Sequence, residues 1–169
     1  MTSKSNLQPG SHIEPVRAIV LRETLISTVP NALVSAGFVW LLFGGQSRIG
    51  LWGMDGLAFD LVPTTFMLTL MTTIALTLIF RKRRRESGLL GAASPGAPLP
   101  LPRNPVLRGI ALGALLLVLF VPVSVAVLSA IWTQDWSYER VLAFKIAYGI
   151  VVGWVATPLV VLAALRERA

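Results

Sequence analysis

The chain has 169 residues, of which 54% are hydrophobic and 14% are charged, and its formal net charge is +7. Soluble domains carry about 25% charged residues, so this composition excludes an ordinary soluble domain and indicates a membrane protein. The sequence contains no cysteine, which excludes disulfides, thiolate nucleophiles and sulfur-ligated metals, and its single histidine is His12. We therefore predict neither a metal site nor a cofactor.

The first half of the chain predicts a hairpin of two membrane spans. Residues 1–23 form a polar tail and a mixed segment that we expect to lie at the membrane interface. Residues 24–80 contain the two spans, Thr24–Phe43 and Leu61–Phe80. Each is close to the roughly 20 apolar residues that a helix needs to cross a bilayer. The first run is too long for the apolar core of a signal peptide, so we expect it to be retained.

Residues 81–106 form a basic and then proline- and glycine-rich linker. The linker opens with five consecutive cations: Arg81, Lys82, Arg83, Arg84 and Arg85. Such a run ends a span at the cytoplasmic surface, where it also attracts anionic lipid by about 1 kcal/mol per cation. No aromatic interleaving or recognised nucleic-acid fold accompanies the run, so we predict no nucleic-acid partner.

Residues 107–169 predict a second hairpin, with spans at Leu107–Ile131 and Phe144–Leu165, followed by a short tail. Twelve lysines and arginines fall in the two termini, the linker and the adjoining start of the third span, against three in the connections on the other face or at a helix edge beside them. This positive-inside bias predicts cytoplasmic termini, and four of the five tryptophans fall near the opposite interface. The fold predicted is an all-α bundle of four transmembrane helices.

The two hairpins resemble each other. Ala58-Phe59-Asp60 opens the second span and Ala143-Phe144-Lys145 opens the fourth. Because each unit has two helices, the second hairpin would start on the same side of the membrane as the first. A duplication would therefore be a parallel 2+2 repeat about an axis along the membrane normal. Short matches also arise by chance, so both interpretations remain open.

Polar residues follow one face of each of the first two spans. The first span carries Thr24, Thr28, Asn31 and Ser35, and the second carries Thr65, Thr69 and Thr72. These rows either line a polar path or let helices approach closely through small hydroxyl groups, and packing is the simpler interpretation. Asn31 stands out, because a buried amide needs a partner more than a threonine does.

Asp60 and Lys145 carry opposite charges at equivalent positions of the two hairpins. The simpler interpretation is that both side chains extend to water at the ends of their helices. The alternative is an ion pair between the hairpins, or a site for a small ionic ligand, since charges that border hydrocarbon are often functional.

Two G-x-x-x-G spacings occur, at Gly109/Gly113 and Gly149/Gly153. They predict close helix contacts, either within the bundle or between copies.

Four stretches of the sequence (NALVSAGFVWLLFGGQ, LWG, DLVPTTF and FKIAYGIVVGWVATPLVVLAAL) resemble a group of small four-helix bacterial membrane proteins known only as hypothetical. The resemblance covers all four spans and implies the topology and a bacterial inner membrane. It implies no activity. Its most distinctive pieces run from Asp60 to Phe66 and from Lys145 to Tyr148, which makes Tyr148 a candidate functional residue.

Two functional hypotheses remain. The first is a structural or accessory subunit that packs against itself or within a larger membrane complex. The second is a small oligomeric transporter or channel for a polar or ionic solute, which would use the threonine and asparagine rows and the Asp60/Lys145 positions. The sequence contains no recognised catalytic motif, and we expect Glu23 to be neutralised by Arg22, so an enzyme is not predicted.

Overall fold

The computed structural model describes residues 16–87 and 101–166. Four helices run α1 (Val16–Phe43), α2 (Leu57–Ser87), α3 (Pro105–Ile131) and α4 (Tyr138–Leu165). Two short strands, β1 (Arg48–Ile49) between α1 and α2 and β2 (Trp136–Ser137) between α3 and α4, pair with each other. All four helices are long and apolar enough to cross a membrane. The predicted all-α, four-span fold is therefore confirmed.

The helices extend beyond the predicted spans. α1 begins at Val16, so the described part of the predicted interfacial segment belongs to the helix. α2 begins at Leu57 and continues to Ser87, through the basic run at which the second span was expected to stop. The physical reason is that arginine and lysine are good helix formers, so a helix that leaves hydrocarbon has no cause to unwind there.

Capping residues set the start of the two later helices. The Asn104 side chain accepts a hydrogen bond from the Val106 backbone N–H at 2.9 Å, and Pro105 follows at the first helical position of α3. Ser137 caps α4 in the same way, so that helix begins at Tyr138 rather than at Phe144. The fourth predicted span therefore lacked its first turns.

The two strands form an antiparallel ribbon in which Arg48 pairs with Ser137 and Ile49 with Trp136. Beside the ribbon, Leu57 N donates to the Gly50 carbonyl at 3.0 Å and Ala58 N donates to the Leu51 carbonyl at 2.9 Å. These bonds satisfy amide groups that the first turn of α2 would otherwise leave unpaired. We call this end of the bundle the ribbon end, and the opposite end, where α1 begins, the terminal end.

α2 and α4 pack together at the centre of the bundle. α1 packs mainly on α4 and α3 packs mainly on α2, whereas the two helices within each hairpin, α1 with α2 and α3 with α4, contact each other less. The two hairpins therefore interlock. Exchanged contacts of this kind are what a two-fold relation between hairpins would give, and the duplication itself stays a prediction.

The G-x-x-x-G glycines of α3 face α2. A Cβ added at Gly109 would lie 2.6 Å from the Leu70 side chain, and one at Gly113 would lie 3.0 Å from the Phe66 ring. This motif is thus used inside the bundle, between α2 and α3.

Candidate functional site

A buried cluster of charged and hydroxyl side chains lies between α2 and α4, near the ribbon end. Asp60 lies in the first turn of α2 and Lys145 lies two turns into α4. The Lys145 Nζ is 2.6 Å from Asp60 Oδ2 and 2.6 Å from Thr64 Oγ1. Thr64 Oγ1 in turn donates to Asp60 Oδ1 at 3.0 Å. The three side chains form a closed triangle of two charge-assisted hydrogen bonds and one ion pair.

Neither charged side chain of the triangle reaches the surface. Lys145 is 0% exposed and Asp60 is 2% exposed. One turn nearer the ribbon end, Leu57 on α2 and Val141 on α4 are both fully buried. Because this apolar layer separates the pair from the ribbon end, the interpretation that both side chains extend to water is wrong.

A buried ion pair is favourable only when its members satisfy each other, since the cost of desolvating two charges offsets much of their attraction. Here Thr64 provides the third side of the arrangement by donating to the carboxylate and accepting from the ammonium. The position of Asp60 adds a smaller effect, because a carboxylate in the first turn of a helix interacts favourably with the helix dipole.

Tyr148 forms a second link between α2 and α4, one turn beyond Lys145. Its hydroxyl is 2.7 Å from Thr65 Oγ1. Thr65 already donates its only hydroxyl proton to the Leu61 carbonyl at 2.6 Å, so Tyr148 must be the donor in this bond. The structure thus places Asp60, Lys145, Thr65 and Tyr148 in one region.

Two further threonines of α2, Thr69 and Thr73, bond within their own helix. Thr69 donates to the Thr65 carbonyl at 2.8 Å and Thr73 donates to the Thr69 carbonyl at 2.7 Å. Both side chains are fully buried. A threonine hydroxyl that donates to the backbone carbonyl four residues earlier is satisfied within its own helix and can be buried against a neighbouring helix. These contacts favour packing over a polar path for Thr69.

Asn31 joins α1 to the two central helices. Thr72 Oγ1 donates to Asn31 Oδ1 at 3.0 Å. On the other side, a Cβ added at Gly153 would overlap the Asn31 amide, and one at Gly149 would overlap the Ser35 side chain. The glycines of α4 therefore allow α1 to approach α4 closely, and this second G-x-x-x-G motif is also used within the bundle.

The buried face of α1 differs from the predicted row. It follows a strict four-residue step through Glu23, Ser27, Asn31, Ser35, Val39 and Phe43. Thr24 and Thr28 lie at the edge of this face, where each donates to a carbonyl four residues earlier. Ser27, which the sequence row missed, is 2.9 Å from Thr157 Oγ1. Because Ser27 donates to the Thr24 carbonyl, Thr157 is the donor in that pair.

Some residues of the basic run Arg81–Arg85 contact other parts of the chain at the terminal end, and others are exposed. Arg83 Nη1 is 2.6 Å from Glu23 Oε1, and Arg22 Nη2 is 3.4 Å from the same oxygen. Glu23 is therefore neutralised by two arginines rather than by Arg22 alone. Arg81 donates to the Arg103 carbonyl, while Lys82 and Arg85 are exposed. The side chain of Arg84 lies outside the described part of the structure.

The described residues contain no group of three or more histidine, cysteine, aspartate or glutamate side chains that could hold a metal ion. Comparisons with protein-family models, with curated proteins and with solved structures gave no match to this chain.

Proposed function

We propose that this four-span membrane protein is a structural or accessory subunit rather than an enzyme. The observation that supports this is the triangle of Asp60, Thr64 and Lys145, in which each charge is satisfied by the bundle itself. The Tyr148 hydroxyl and the Asn31 amide oxygen are also bonded to threonines of α2. Polar groups arranged in this way fix the relative positions of three helices.

The proposed location is a bacterial inner membrane, with both termini in the cytoplasm. The support is the positive-inside bias of the sequence, with twelve cations towards the terminal end and three towards the ribbon end. In this orientation the terminal end of α2 presents Lys82 and Arg85, both exposed, to the cytoplasmic headgroups. Together with the rest of the run Arg81–Arg85, they would attract anionic lipid.

The first experiment is affinity purification of the tagged protein from its native membrane in mild detergent, followed by native mass determination. A structural or accessory subunit is expected to elute with a protein partner in a fixed molar ratio, or as a defined homo-oligomer. A monomer that recovers no partner at a fixed ratio would contradict the proposal.

A small oligomeric transporter is the second candidate function. The observation that favours it is a carboxylate and an ammonium at membrane depth, where ionisable residues are often functional. Four helices enclose little space, so this candidate requires an oligomer. Ion flux into liposomes by a purified homo-oligomer, lost in variants of Asn31, Asp60 or Lys145 that still fold, would favour it. A protein that stays monomeric in mild detergent would exclude it.

A further inference from the structure

A groove opens sideways between α3 and α4, the two helices of the second hairpin that contact each other only weakly. Its volume is about 500 Å³. It is lined by Leu119, Phe120, Val123, Ser124, Phe144, Ala147, Tyr148 and Val151. The walls are therefore aliphatic and aromatic, apart from the hydroxyls of Ser124 and Tyr148.

The groove lies at the depth of the hydrocarbon. On α4 its residues lie between 6 and 13 positions from Tyr138, the first residue of the helix. At a rise of about 1.5 Å per residue, this places the groove roughly 9–20 Å from the start of α4. The hydrocarbon core of a bilayer is about 30 Å thick, so the groove faces lipid tails of the leaflet at the ribbon end.

A separate polar pocket lies at the ribbon end. Its volume is about 200 Å³. It is lined by Ser47, Arg48, Gln134, Asp135, Ser137 and Arg140. None of the ion pairs among the described residues involves Arg48, Arg140 or Asp135. The pocket therefore offers two cations and one anion that are not neutralised by one another.

One face of α4 connects the pocket to the groove. Arg140 lines the pocket and Phe144, four residues later on the same face, lines the groove. The Arg140 guanidinium lies 5.8 Å from the centroid of the Trp136 ring. Trp136 contacts Phe144 and Phe144 stacks on Tyr148, both with ring centroids 5.9 Å apart. A row of contacting aromatic rings thus connects Arg140 of the charged pocket with Phe144 and Tyr148 of the apolar groove.

We propose that this surface binds one glycerophospholipid whose headgroup carries a primary ammonium. The phosphate lies between Arg48 and Arg140, the ammonium lies against Asp135, and one acyl chain fills the groove between α3 and α4. Arginine is suited to phosphate, because its planar group donates two parallel hydrogen bonds. A primary ammonium is favoured over a choline group, because only the former can donate hydrogen bonds to a carboxylate.

The test is native mass spectrometry of the purified full chain in detergent with added phosphatidylethanolamine. One retained lipid per chain is expected. Arg48→Gln combined with Arg140→Gln should lower retention about tenfold or more, because two charge-assisted contacts are lost. Arg85→Gln, which removes an exposed cation at the terminal end, should leave it unchanged. Equal retention by the arginine double variant and the wild type would overturn the headgroup assignment.

The groove has its own matched pair of variants. Ala147 on α4 lines the groove, whereas Ala114 on α3 does not, and both are exposed, so a larger side chain fits at either position without disturbing the core. Ala147→Leu should reduce lipid retention, whereas Ala114→Leu should not. Equal effects of the two variants would overturn the groove assignment. Equal retention of phosphatidylethanolamine, phosphatidylglycerol and diacylglycerol would overturn the proposed headgroup chemistry.

Discussion

The buried triangle predicts strong energetic coupling between Asp60 and Lys145. Asp60→Asn removes the charge opposite Lys145 and leaves the ammonium with neutral hydrogen-bond acceptors only, among them Thr64. Lys145 is 0% exposed, so water cannot replace the lost carboxylate. Removing one member of a buried ion pair costs about 3–5 kcal/mol, because the other charge stays buried and uncompensated.

The double variant Asp60→Asn/Lys145→Met removes both charges while roughly keeping the side-chain volumes. It should be less destabilised than the sum of its two single variants, by about 2 kcal/mol or more. Unfolding in mixed micelles with increasing SDS, followed by tryptophan fluorescence, measures all four proteins. Asp55→Asn is the matched control, since Asp55 is exposed and its change should stay within about 0.5 kcal/mol. Additive effects at positions 60 and 145 would refute the argument.

Three further predictions concern other helix contacts. Gly149→Ala should destabilise the protein by about 1–3 kcal/mol, because the added Cβ overlaps Ser35. Gly37→Ala is the control and should be neutral or slightly stabilising, because its added Cβ meets nothing within 4 Å. Equal shifts of the two variants in thermal unfolding would contradict the close approach of α1 to α4. Thr72→Val should lower the free energy of unfolding by about 0.6 kcal/mol, because it removes the hydrogen bond to Asn31. Thr69→Val should lower it by less, because the Thr69 hydroxyl bonds only within α2. The same SDS titration measures both variants. Glu23→Gln should cost at most about 1 kcal/mol, because the Arg83 side chain is 41% exposed. That loss should shrink in thermal unfolding at about 1 M salt, and a loss as large as that of Asp60→Asn would count against the account.

The number and type of helices could be predicted from the sequence, because a bilayer requires long apolar runs. The helix ends could not, because the hydrocarbon boundary and the end of a helix are set by different forces. α2 continues through Arg81 to Arg85, since these residues keep their backbone hydrogen bonds in a helix whether lipid or water surrounds them. Ser137 illustrates the opposite case, in which a short polar side chain starts a helix outside the apolar run.

The candidate site was only partly predictable. From the sequence, exposure of Asp60 and Lys145 to water was the simpler interpretation and an ion pair was the alternative. Only the packing of α2 on α4, with Leu57 and Val141 closing the ribbon side, decides between them. Thr64, which completes the triangle, lies four residues after Asp60 and on the same helical face, a spacing that could have identified it.

The buried row of α1 was misplaced by one position at two points. The sequence suggested Thr24 and Thr28, whereas the helix buries Glu23 and Ser27. From the sequence alone, a charged residue at the edge of a span, such as Glu23, is expected to be exposed unless its partner is known. Here the partner is Arg83, which comes from a different helix. The strict four-residue step follows from the packing of α1 along one ridge of side chains, which the sequence alone does not select.

The most direct test of a closed, structural interior is the reactivity of single cysteines, which the cysteine-free sequence makes simple to introduce. Thr69→Cys places a thiol at a fully buried position of α2, and Ser47→Cys places one at an exposed position beside the ribbon. A water-soluble cationic thiosulfonate should modify the second completely while leaving the first unreacted. Modification of both at similar rates would show a water-filled path through the bundle and would contradict the account.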